Sequence, residues 1–122
     1  MSCNISDNVK KVIGSHGEER FKLFKSVGEW HLGVITLSEI SVSNFNMFFE
    51  DVETIKLGEC SIFMTDEGHI RLEWYDDICG ESELEFGENN IYIYLEDVDI
   101  EGHYDFQSAI KIFNNVVGDV RL

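Results

Sequence analysis

The chain has 122 residues, 43% of them hydrophobic and 12% aromatic, with 24 acidic against nine basic side chains and a net charge of −15. This is one domain's length, spanning 1–122, with apolar content enough for a core, so the acidity does not signal disorder. A surface this acidic repels nucleic acid and anionic membranes, which argues against direct binding to either and favours basic proteins as partners.

Near the start, Ile5, Val9, Val12 and Ile13 follow the spacing of one helical face, with Asn4 or Ser6 as the cap and Gly14 as the stop. The next two segments, "RFKLFKSV" and "EWHLGVITL", alternate or run apolar as strands do, the second placing Trp30, Leu32 and Val34 on one side. In "SVSNFNMFFEDVETIKLG", Phe45, Phe48, Phe49, Val52 and Ile55 approximate helical spacing and predict a short helix over the sheet. From Cys60 the pattern sharpens. "CSIFMT-DEG-HIRLEWY" reads as a hairpin turning at Asp66–Gly68, and "SELEF-GENN-IYIYLE" as a second turning at Gly87–Asn90. The last element, "DFQSAIKIFNNVVG", puts Phe106, Ala109, Ile110, Phe113, Val116 and Val117 on one stripe, with Asp105 as cap and Gly118 as stop. The expected fold is α+β: an antiparallel sheet of about five or six strands with an N-terminal and a C-terminal helix against one face.

The charge is unevenly spread. Residues 1–26 carry a net of +2, and the remainder a net of −17. "EWYDDICGESELEFGE" holds seven carboxylates without a Lys or Arg, and after Arg71 the next basic side chain is Lys111. Strand alternation sorts Ile70, Leu72, Trp74, Leu84, Phe86, Ile91, Ile93 and Leu95 onto a core face. The opposite face then holds Arg71, Glu73, Tyr75, Glu83, Glu85, Tyr92, Tyr94 and Glu96, extended at strand ends by Asp76, Asp77, Asp97, Asp99 and Glu101. Like charges opposed across a sheet are destabilising, so Glu83 and Glu85 among other acids call for a reason. One reason is a solvated surface that keeps the chain dispersed. Another is a docking face, in which Tyr supplies anchor area at low entropy cost and the acids steer a basic partner.

Catalytic and metal chemistry find no signature. The four histidines, His16, His31, His69 and His103, lack the H-E-x-x-H spacing of a zinc helix and read as surface or turn residues. "DVDIEG" starts like a calcium loop, but its twelfth position is Ser108 rather than Glu. Cys79 beside carboxylates would have a raised pKa and poor nucleophilicity. No catalytic residue, cofactor or metal is expected, and an enzyme is disfavoured. The odd set of Cys3, Cys60 and Cys79, an N-terminus without an apolar signal core and the lack of any run near the roughly 18 residues of a membrane span predict a reduced, cytoplasmic protein.

A small, very acidic α+β chain carrying "HIRLEWYDD…ELEFGENNIYIYLEDVD" resembles bacterial toxin-immunity proteins, including those of contact-dependent growth-inhibition systems. The resemblance is one of size, charge and layout. It implies a one-to-one complex that blocks a cognate basic toxin domain, often a nuclease, without catalysis. A nucleic-acid mimic of the anti-CRISPR kind and a small-molecule-binding domain are the other readings.

Overall fold

In the computed structural model, residues 4–30, 36–52, 57 and 59–116 are described, those at 25–30 for their backbone only. The elements run α1 (Asp7–Trp30), α2 (Glu39–Asp51), β1 (Cys60–Met64), β2 (Ile70–Asp76), β3 (Gly80–Phe86), β4 (Ile91–Leu95), a 3-10 turn (Glu96–Val98), β5 (Ile100–Tyr104) and α3 (Phe106–Val116). The five strands form one antiparallel meander in the order β1-β2-β3-β4-β5. This is the expected α+β fold. Among the described residues no helix is long and apolar enough to cross a membrane.

Ser6 caps α1, its Oγ accepting the Val9 N–H at 3.3 Å. At Gly14 (φ 74°, ψ −178°) the backbone leaves helical geometry, as expected, but it then re-enters the helix and continues to Trp30. "RFKLFKSV" is therefore helix, not strand. Its apparent alternation is broken by Leu23, which is exposed, whereas Phe21 and Phe24 are buried in line with Ile13 and Gly17. Those positions share one helical face. "EWHLGVITL" does not start as a strand either, since Glu29 and Trp30 are helical; Leu32, Val34, His31, Ile55, Cys3, Val117 and Gly118 lie outside the described residues.

The fifth strand comes instead from "IEGHY", where the sequence suggested only acids at strand ends. Its inward residues, Ile100 and Tyr104, are only half-buried, so its apolar signal is faint. Asp99, left-handed at φ 60°, lets the chain reverse from the 3-10 turn into β5.

α1 lies along β1, α2 against β2 and β3, and α3 against β4. Ile62, Ile70, Leu72, Trp74, Leu84, Phe86, Ile91, Ile93 and Leu95 fill the inner face at 5% exposure or less. α2 seats Phe45, Phe48 and Phe49 on it, as its spacing predicts. Ser38 caps α2 through its Oγ and the Ser41 N–H, and the buried Ser41 Oγ accepts the Ile70 N–H at 2.9 Å, tying helix to strand. At edge strand β1, Arg20 donates Nε–H to the Ile62 carbonyl at 2.9 Å and lies over the Phe63 ring. Asp105 caps α3 as expected, accepting the Ser108 N–H at 2.8 Å, and that bond holds its carboxyl below the usual value.

Candidate functional site

Because β2, β3 and β4 are neighbours, the outward side chains of the three strands meet in rows. One row runs Arg71, Glu85, Tyr92, His103; the next runs Ser61, Glu73, Glu83, Tyr94, Glu101; Tyr75 faces Glu81 in a third. The register thus brings together seven of the residues selected from sequence: Glu73, Tyr75, Glu83, Glu85, Tyr92, Tyr94 and Glu101. Among the described residues the three helices pack on the opposite side, and Tyr75 is 66% exposed.

Glu73 and Glu83 are directly opposed, the arrangement that repels. Arg71 resolves it. Its Nη2 lies 2.6 Å from Glu73 Oε2 and 2.6 Å from Glu83 Oε1, so one guanidinium bridges the pair. The repulsion inferred from the strand pattern is therefore largely compensated within the chain. Arg71 is also the one Lys or Arg between Lys56 and Lys111, so its charge is consumed there and the face stays strongly negative.

The other selected acids sit at one end of the sheet. Asp76 ends β2 and closes the β2–β3 turn, its Oδ1 accepting the N–H groups of Ile78 and Cys79 at 2.8 and 2.9 Å. Its position is an inner-face one, so turn closure accounts for it. Asp77, Glu96, Asp97 and Asp99 are exposed on that turn and on the neighbouring 3-10 turn, linked by the Asp97 N–H donating to the Cys79 carbonyl at 2.7 Å. Cys79 is buried, and burial together with Asp76 pushes its thiol up to about 11, consistent with an inert side chain.

Glu81 and Glu59 escaped the sequence selection. β3 begins at Gly80, so Glu81 falls two residues before Glu83 on the same side, a period-two signal hidden by starting the strand at Ser82. With Glu73, Glu83, Tyr75 and Tyr94 they line a shallow cleft of about 310 Å³. Carboxylates between phenol rings suit an ammonium or guanidinium, which gains from the negative charge and the ring faces together.

Tyr92 donates its hydroxyl to Glu101 Oε2 at 2.8 Å. Desolvation, then that bond and the surrounding carboxylates, push its phenol up to about 12 from the usual 10. A phenol whose pKa is raised by folding stays protonated where the unfolded chain ionises. Its contribution is complete below pH 10 and is lost as pH rises towards 12. Absorbance titration should show a tyrosine ionising near pH 12 that disappears in Tyr92→Phe, and unfolding stability should fall across that window less steeply in the variant.

The chain matches no protein-family model, no curated protein and no solved structure.

Proposed function

We propose that this chain is an inhibitory protein-binding module of the immunity type, acting in the cytoplasm on a basic toxin domain, with a nuclease as the favoured target. One observation carries the reading: tyrosines and carboxylates from three adjacent strands share one face on the side opposite the helices, with a single arginine built in. Exposed Tyr75 and half-buried Tyr94 supply the anchors, and the cleft they line accepts a lysine or arginine of the partner. The surrounding charge raises the encounter rate, towards about 10⁸–10⁹ M⁻¹s⁻¹ at low salt, which serves an inhibitor that must outrun its target. The likeness in size, acidity and layout to toxin-immunity proteins supports the same reading. The residues placed at the contact are Glu73, Tyr75, Glu81, Glu83, Tyr94 and the exposed acids Asp77, Asp97 and Asp99 around them.

The test is affinity co-purification from the native host at moderate salt, with wild type beside a Tyr75→Ala, Glu81→Lys, Tyr94→Ala variant. These positions are outward-facing, so the fold should persist. A small basic protein retained near one-to-one by wild type and weakened at least about thirtyfold by the triple change is expected, the loss typical of central interface residues. Equal retention by both chains defeats the proposal. Elution by DNA of a large DNA-binding enzyme would replace it with the nucleic-acid-mimic reading.

A further inference from the structure

At the other end of the outer face, His69 closes the β1–β2 turn beside the β3–β4 turn. The geometry points to a site for a borderline divalent transition cation, of the zinc class, formed by Glu67, His69 and Glu85. Each offers one ligand atom, and the three atoms lie within 4.8 Å of one another. His69 Nδ1 lies 3.7 Å from Glu85 Oε2. Two bonds of about 2.1 Å at a tetrahedral angle place ligand atoms about 3.4 Å apart, so the pair already stands near chelating distance. Glu67, exposed on the turn, supplies the third ligand atom.

Two further features support the site. The three residues line a cleft of about 510 Å³ together with Asn90, Tyr92 and His103, which leaves room for a fourth ligand, either water or a group from a partner. Arg71, although paired in register with Glu85, turns its Nη2 to Glu73 and Glu83. The two short contacts of that guanidinium thus go to other carboxylates, and Glu85 has the His69 imidazole beside it.

The frame is held before any ion arrives. Thr65 Oγ1 accepts the backbone N–H groups of Glu67 and His69 at 3.3 and 3.1 Å, and the Gly68 N–H donates to the Thr65 carbonyl at 2.9 Å. His69 is largely enclosed, its side chain 16% exposed. One imidazole nitrogen with two carboxylates is a donor set for zinc-class ions, whereas calcium and magnesium prefer oxygen throughout. The spacing follows no sequence motif because Glu67 and His69 come from the β1–β2 turn and Glu85 from β3, one strand further on. This site is independent of the docking proposal, and its ion would sit at the margin of that face.

The test is isothermal titration of the full chain with zinc chloride at pH 7, compared with His69→Ala, Glu85→Gln and the control His16→Ala. With 24 carboxylates present, weak unspecific binding is the competing result, and the variants separate it. One saturable site per chain is expected, unchanged in His16→Ala and at least about tenfold weaker in both site variants, a loss that even an outer-shell contact produces. Glu85→Gln keeps the side chain's shape, so it reads the site even if His69→Ala perturbs the turn. Absence of a saturable site, or a site that survives Glu85→Gln and His69→Ala, overturns the assignment. Neither result bears on capture of a basic protein.

Discussion

Replacing Phe48 with alanine should destabilise the protein by about 3–5 kcal/mol, the usual cost of removing a fully buried aromatic ring. Phe48 is 0% exposed and sits where α2, α3 and the sheet converge. Its ring centroid lies 5.2 Å from Phe49, 5.5 Å from Phe86 on β3, and 5.2 and 6.3 Å from Phe113 and Phe106 on α3, all near edge-to-face. Such pairs add to the burial term about 0.5–1.5 kcal/mol each. Because the other rings are fixed by the sheet and by α3, they close the void poorly and most of the loss is felt. Domains of this kind have about 5–15 kcal/mol in hand, so the variant should lie near the edge of folding. In urea its midpoint should drop by about 2 M for a slope near 2 kcal/mol per M. Met47→Ala, one residue away on the exposed side of α2, should move stability by no more than about 0.5 kcal/mol. If both variants unfold alike, α2 does not hold the sheet as described.

Gly68→Ala should cost at least about 2 kcal/mol, through two separable causes. Gly68 closes the β1–β2 hairpin at φ 81°, the left-handed position of a three-residue turn, where an L side chain is strained by about 1–2 kcal/mol. The second cause is space. A Cβ here would strike the Thr36 carbonyl and come within 3.3 Å of the Ser38 nitrogen. Ser38 caps α2, and its N–H donates to the Gly68 carbonyl at 2.9 Å, so relieving the clash pulls on the start of the helix. Asparagine separates the causes. It tolerates left-handed backbone but carries the same Cβ, so Gly68→Asn should recover little of the loss. Recovery to near wild-type stability, measured by thermal melting, would show that backbone strain, and not the close approach to Thr36, sets the loss. The turn also carries Glu67 and His69, so zinc affinity should fall along with stability in Gly68→Ala.

The sequence determined the fold class, the two hairpins read from it, α2, α3 and most of the core, because alternation over β2, β3 and β4 is strict and each of those two turns carries its own glycine. It also determined the sign and uneven placement of the charge. It misled where local pattern and tertiary context part: "RFKLFKSV" contains alternating apolar residues, yet burial against β1 selects Phe21 and Phe24 and leaves Leu23 in solvent. β5 was hidden for a related reason, since an edge strand with a half-buried inner side needs little hydrophobic signal. Only the tertiary structure decided the state of the acids. Period-two alternation gives each strand's two faces but not which strands adjoin or in what register. That register is what sets Glu73 against Glu83, places Arg71 between them, and brings Glu85 to a histidine on a neighbouring turn.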